Sequence, residues 1–152
     1  MRYIAIDPGL MTGISIWEWE RGQEPVLVHS EEVDEDHFAK VVRYWFDNTF
    51  PQRIGVICER FVITMDTAKK SQAPFSLELI GQLKLVMKDR NRDPKTEINY
   101  QKPSDAMAMF PNPKLKKLGY WHRGGAGHAL DSIRHGLLFF VKHGWAPRGL
   151  LD

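Results

Sequence analysis

The 152-residue chain contains a single cysteine, Cys58, and no long run of apolar residues. One cysteine excludes an internal disulfide and is typical of a reducing compartment, so we expect a cytoplasmic protein. No segment approaches the roughly 18 apolar residues of a membrane span, and we therefore expect no membrane association. The N-terminal sequence MRYIAIDPG lacks the apolar core of a signal peptide. The composition, 43% hydrophobic and 26% charged, is that of an ordinary globular chain.

The net charge of +2 hides an uneven distribution along the chain. Residues 1–59 carry 5 Lys and Arg against 11 Asp and Glu, whereas residues 60–123 carry 13 against 6. A basic block of this kind commonly faces the phosphate backbone of a nucleic acid. A solvated, lysine-rich surface explains the charge equally well. The block therefore indicates a nucleic acid as a candidate partner without establishing one.

Hydrophobic periodicity predicts one α/β domain over residues 1–152. Three short strands separated by turns come first and are expected to pair antiparallel, over 3–6, 13–19 and 25–33. A fourth, fully apolar strand, Ile54–Glu59, is typical of the middle of a covered sheet, and a fifth is predicted over 97–100. Helices are predicted over 36–48, 74–88, 102–109, 114–118 and 128–143. This order indicates a mixed five-stranded sheet flanked by helices.

Four polar residues stand where ligands gather in such a sheet. Asp7 and Glu59 follow apolar runs, at the carboxyl ends of their strands. His128 and Asp131 lie three residues apart at the start of the last helix and therefore share a face. Buried strand-end acids are costly unless something pairs with them. Carboxylates with one imidazole suit Mg²⁺ or Mn²⁺, and such a ligand set can hold the two ions that promote phosphodiester hydrolysis.

Each of the four also has a purely structural interpretation. Asp7 can cap the Pro-Gly turn that follows it, and Glu59 can pair with a neighbouring basic residue. His128 can be merely the first residue of its helix, while Asp131 can interact with the helix dipole. His135 lies one turn beyond Asp131 on roughly the same face. It can be a partner of a metal ligand, but we expect a partly exposed helix histidine.

Four segments together resemble RuvC-type Holliday junction resolvases, within the RNase H-like superfamily. IAIDPGLMTGISIW resembles the opening motif, VICERFV the strand that carries the second acid, and SLELIGQLKLVM the following helix. GHALDSIRHGLLFF resembles the last helix, which carries the His-x-x-Asp pair. The resemblance implies an RNase H-like fold with Asp7, Glu59, His128 and Asp131 as ligands of two Mg²⁺ ions. It further implies a homodimer that nicks four-way DNA junctions.

The resemblance also implies roles within the basic block. Lys102 matches a catalytic lysine, and Phe61 is the candidate aromatic for opening a junction, although a core role for Phe61 is at least as well founded. The candidate DNA contacts are Phe61, Lys69, Lys70, Lys102, Lys114, Lys116, Lys117 and Arg123. Phosphate contacts from such cations add salt-dependent affinity but no sequence readout.

The segment from Pro111 to Arg123 departs from the pattern of chromosomal enzymes. Together with the short length, it resembles a compact phage-encoded branch that accepts varied branched DNA, for which the expected compartment is the host cytoplasm. Two other classes stay open. One is a non-catalytic branched-DNA binder with the same fold. The other is an actin-like or sugar-kinase-like ATP-binding domain, because Asp7 to Gly13 also resembles a phosphate loop, but that fold needs a second domain that we do not expect here.

Overall fold

The computed structural model describes residues 1–49, 53–61, 73–90 and 97–147. Its strands are β1 (Arg2–Asp7), β2 (Thr12–Glu18), β3 (Val26–Val33), β4 (Ile54–Glu59) and β5 (Ile98–Gln101). Its helices are α1 (Glu35–Asp47), α2 (Ala73–Arg90), α3 (Pro103–Met109), α4 (Asn112–Lys117) and α5 (His128–Lys142). Every strand and helix predicted from periodicity is present in the predicted order. No helix in the described ranges is long and apolar enough to cross a membrane.

The strands form a mixed sheet in the order β3-β2-β1-β4-β5. β2 pairs antiparallel with both β1 and β3, which confirms the predicted meander. β4 pairs parallel with β1 on one side and with β5 on the other. Because β1 and β4 run in the same direction, their carboxyl ends meet at one edge of the sheet. Asp7 and Glu59 are the last residues of these two strands.

Side chains alternate across the strands and build two separate cores. One core packs the sheet against α1 and α2 through Ile4, Ile6, Val56 and Cys58. The other core packs the sheet against α3, α4 and α5 through Tyr3, Ala5 and Ile57. By this alternation Asp7 lies on the same face as Ala5, and Glu59 lies on the same face as Ile57. Both acids therefore face α5.

α5 is held against the sheet by its apolar side chains. Ile133, Leu137 and Phe140 are fully buried, and each such side chain contributes roughly 1.5–3 kcal/mol when removed from water. The ring of Phe140 lies edge-on to Trp17, at a centroid distance of 5.4 Å. Gly136 permits this close approach, because a Cβ there would lie 2.5 Å from Nε1 of Trp17. Packing along the helix therefore fixes where its first turns meet the sheet.

Candidate active site at the carboxyl ends of β1 and β4

One residue from each strand forms a row across the sheet beneath the first turns of α5. Backbone register pairs Glu32 with Gly13, Gly13 with Asp7, and Glu59 with Gln101. The parallel pairing of β1 with β4 continues to the residue before Asp7 and Glu59, so these two acids are neighbours. We call Glu32, Gly13, Asp7, Glu59 and Gln101 the site row. A single helix that crosses this row can contact every strand of the sheet.

Asp7 occupies the centre of the site row and is paired with His128. Its side chain is 9% exposed, and its Oδ2 lies 2.9 Å from Nδ1 of His128. Burial raises the pKa of Asp7, the hydrogen bond with His128 acts against that rise, and the nearby Glu59 adds to it. The hydrogen bond with Asp7 in turn raises the pKa of His128. A buried acid beside a second acid is an arrangement that a bound cation stabilises.

Asp131 adds a second carboxylate to the pair. One potential ligand atom from each of Asp7, His128 and Asp131 lies within 4.8 Å of the other two. Burial raises the pKa of Asp131, as does the negative charge of Asp7. Arg134 donates a hydrogen bond to Asp131 and opposes that rise. Two carboxylates and an imidazole at this spacing are a donor set that fits Mg²⁺ or Mn²⁺.

Glu59 lies beside this three-residue cluster and has its own partner from α5. Its Oε2 lies 3.1 Å from Nε2 of His135, a residue that is 1% exposed. The Gln101 amide satisfies both of its polar atoms in one orientation. In it, the oxygen accepts from the backbone N–H of Phe139 at 3.2 Å and the nitrogen donates to Nδ1 of His135 at 3.2 Å. Nε2 then carries the proton that His135 donates to Glu59.

The expectation of a partly exposed His135 is therefore wrong. The residue is buried because the second turn of α5 lies over the ends of β4 and β5, where Glu59 and Gln101 meet its ring. The pairing of Glu59 with a neighbouring basic residue of the chain was the structural alternative. Among the residues that the structure describes, a histidine from a distant helix pairs with this carboxylate.

Glu32 anchors the beginning of α5 from the other end of the site row. Its Oε1 accepts from the backbone N–H groups of Gly127 at 2.9 Å and Ala129 at 3.3 Å, and its Oε2 accepts from Ala126 at 2.9 Å. These bonds satisfy N–H groups that the start of a helix leaves without a partner. Burial by itself raises the pKa of Glu32, but the backbone hydrogen bonds outweigh burial, so the pKa lies below its usual value.

Glycine allows the sheet to approach this anchored turn. A Cβ at Gly13 would overlap the backbone carbonyl of His128, so β2 contacts the first turn of α5 directly. Sequence reasoning missed the roles of Glu32 and Gly13. The contact depends on β3 and β2 lying under a helix about a hundred residues away, and no local pattern signals that.

The predicted DNA-contacting cations that the structure describes lie at the start of α3, on α4 and in the segment that follows α4. Lys102 is exposed at the N-cap of α3. Nζ of Lys116 lies 4.5 Å from the ring centroid of Trp121, and the guanidinium of Arg123 lies 6.0 Å from the same ring. The ring of Trp121 is therefore a common partner of two cations from separate segments.

The remaining predicted contacts differ in their surroundings. Lys114 donates from Nζ to the carbonyl of Met109 at 3.1 Å, and Lys117 is exposed in the last turn of α4. Phe61 is half-buried and packs against the core formed with α1 and α2, as its alternative interpretation proposed. Lys69 and Lys70 lie outside the described residues.

Comparison with known proteins adds evidence at the level of the fold. No protein-family model and no curated protein sequence matches the chain. RuvC of Thermus thermophilus in complex with a Holliday junction substrate matches with a TM-score of 0.70 and 14% identity, over 95% of this chain and 97% of that one. A second structure of that RuvC matches with a TM-score of 0.68 and 14% identity, over 94% and 96%.

A viral protein also shares the fold. The Fowlpox virus resolvase, solved with its Holliday junction DNA, matches with a TM-score of 0.55 and 15% identity, over 92% of this chain and 99% of that one. These similarities confirm the RuvC-like, RNase H-like fold that the sequence predicted.

Proposed function

We propose that this protein is a metal-dependent, structure-selective endodeoxyribonuclease that nicks four-way junctions and other branched DNA. The observation that carries the proposal is the cluster of Asp7, His128 and Asp131, with potential ligand atoms within 4.8 Å of one another. The cluster stands at the strand ends of a fold shared with RuvC and with a poxvirus resolvase. Both proteins were solved with Holliday junction DNA, which supports branched DNA as the substrate class.

The donor set supports a divalent ion, Mg²⁺ or Mn²⁺, as the cofactor. Asp7, His128 and Asp131 would hold one ion, and Glu59, whose charge reaches Asp7, would share in holding a second. When bound, such ions activate water for attack on phosphorus and stabilise charge on the leaving oxygen. Because the pKa values of Asp7 and His128 are raised, cation binding would release protons that the metal-free site retains.

The protein's own cations would hold the DNA backbone near these acids. Lys102 would act close to the scissile phosphate, while Lys114, Lys116 and Lys117 on α4, with Arg123, would neutralise further phosphates. Nicking of two opposing strands requires two sites related by a two-fold axis, so we propose that the active form is a homodimer. Resolution of branched DNA would serve recombination, repair or phage DNA processing.

The test is cleavage of a synthetic four-way junction with Mg²⁺ or Mn²⁺ by the wild type and by Asp7→Asn. We expect nicking by the wild type and a loss of more than about 100-fold in the variant, because even partners of metal ligands are worth 10- to 100-fold. Asp36→Asn is the matched control, since Asp36 is exposed on α1 and its variant should nick as the wild type does.

Two results would contradict the proposal. One is equal nicking by Asp7→Asn and the wild type, and the other is the absence of nicking with either metal. Junction binding in EDTA that is never followed by cleavage after metal is added would favour the non-catalytic binder instead.

A further inference from the structure

A cavity of about 260 Å³ lies between α3 and α5, beside the candidate metal site. Its lining includes the carboxylates of Glu59 and Asp131, the buried Arg134 and His135 of α5, and Met107 of α3. The cavity therefore shares two carboxylates with the site at which we propose that a phosphodiester is cut. A group covalently attached to that phosphodiester can reach it.

Arg134 and His135, the two buried polar side chains of the lining, already have hydrogen-bond partners. Nε of Arg134 donates to the carbonyl of Phe110 at 2.9 Å, and its two other nitrogens bond Asp131 and Asn112. His135 uses both ring nitrogens, toward Glu59 and Gln101. A second phosphate in the cavity would meet two carboxylates and no unengaged nitrogen of these two residues. The chemistry therefore disfavours an anion as the occupant.

The wall contributed by α3 is largely apolar. Met107 is 49% exposed, and Ala106 and Pro103 lie beside it, with the hydroxyl of Ser104 as a polar group. A methionine side chain adapts its shape and makes favourable contacts with the edges of rings. This lining suits an uncharged ring attached to a group with hydroxyl or ether oxygens. A nucleobase attached to its sugar has this chemistry.

We propose that this cavity is a subsite for the deoxynucleoside attached to the scissile phosphate, with Met107 packed against it. The proposal rests on the proposed nuclease function and adds a site to it. A cavity of this size holds one nucleoside and not a base pair. Nucleosides at a branch point are already partly unpaired, so that placing one here costs less than in a continuous duplex. The subsite would thus favour branched over linear DNA.

The experiment combines variants of Met107 with junctions that carry one abasic residue next to the cut. Loss of the base and Met107→Ala should each slow nicking by about 2- to 10-fold, the range of a sulfur–ring contact. The combination should be no slower than either change alone, because both remove the same contact. Met109→Ala is the matched control, since Met109 is 39% exposed on the same helix and does not line the cavity.

A second measurement does not depend on cleavage. 2-Aminopurine placed next to the cut should brighten on binding of the wild type or Met109→Ala in EDTA, and should not brighten with Met107→Trp, which fills the cavity. The subsite would be overturned by fully additive effects of Met107→Ala and the abasic residue, together with equal brightening on binding of Met107→Trp. Nicking by the wild type would still support the nuclease function in that case. Failure of the wild type to nick any branched DNA would overturn both.

Discussion

Two acids of the site row, Asp7 and Glu59, each pair with a histidine of α5, and the two histidines differ in exposure. The side chain of His128, in the first turn of α5, is 36% exposed and faces Asp7, whereas that of His135, seven residues later, is 1% exposed and faces Glu59. An accessible imidazole can exchange its proton for a cation. A buried imidazole with both nitrogens engaged can only orient its acid. The difference in burial therefore distinguishes His128, a candidate metal ligand, from His135, which positions the candidate ligand Glu59.

Of the changes to these two pairs, we expect removal of the buried imidazole of His135 to have the largest effect on metal binding. His135→Gln leaves Glu59 without the donor that orients it, so the concentration of Mn²⁺ needed for half-maximal nicking should rise about 10- to 100-fold. The measurement is a metal titration of junction cleavage, with a thermal melt to verify folding. His143→Gln is the control, because His143 lies just beyond the other end of α5 and stacks on Phe139.

The two variants also separate a positioning role from a general loss of stability. If His135→Gln melts at a lower temperature but needs no more Mn²⁺ than the wild type, the buried pair does not position Glu59. The distinction between the two histidines would then lie in packing alone.

The sequence contained enough to predict the acids and the helix face, because both follow from local patterns. Apolar runs that end in Asp7 and Glu59 indicated strand ends, and the parallel pairing of β1 and β4 brought those ends together. The spacing of His128, Asp131 and His135 predicted a shared helix face. What periodicity could not supply is which strand lies beneath each turn.

The burial of His135 and the anchoring of α5 by Glu32 both depend on which strand lies beneath each turn of the helix. His135 was expected to be partly exposed, because nothing in the sequence indicates that the ends of β4 and β5 lie beneath it. Glu32 was overlooked for the same reason, since its partners Gly127 and Ala129 follow it by about a hundred residues. The packing of Phe61 against the core formed with α1 and α2 likewise depends on tertiary contacts that the sequence does not indicate, and its contact with DNA stays a prediction.

A change at Glu32 tests the two histidines separately, because it weakens the hydrogen bonds only at the end of α5 that carries His128. Glu32→Gln replaces one accepting oxygen by an NH₂ group that faces backbone N–H groups, so we expect a loss of about 1 kcal/mol in the free energy of unfolding. Metal affinity should fall by less than it does in His135→Gln, because the remaining oxygen still accepts. Chemical denaturation and the same Mn²⁺ titration measure both effects.

The neighbouring acid provides a matched control. Glu31 lies on the same strand, points to the other face and pairs with His29 at 3.1 Å, so Glu31→Gln should leave metal affinity unchanged. An equal loss of metal affinity in the two variants would show that the effect comes from the charge of β3 and not from the anchoring of α5.

The smallest expected effect is a pH dependence that isolates the exposed pair. The hydrogen bond with Asp7 raises the pKa of His128 in the folded chain. The stability that this proton contributes is therefore fully present below the unfolded value, about 6.5, and is lost as pH rises through the raised pKa. Asp7, whose pKa is raised chiefly by burial, acts in the same direction from lower pH. The melting temperature of the metal-free protein should therefore decrease more steeply as pH rises above about 6.5 than that of His128→Gln.

Saturating Mn²⁺ should reverse the sign of this dependence, because the cation requires the deprotonated imidazole and binds more tightly as pH rises. The stabilisation by Mn²⁺, measured as the difference in melting temperature with and without the ion, should thus grow with pH in the wild type and much less in His128→Gln. If the two proteins show the same growth, the ion is not held by His128. The accessible His128 would then orient Asp7 just as the buried His135 orients Glu59.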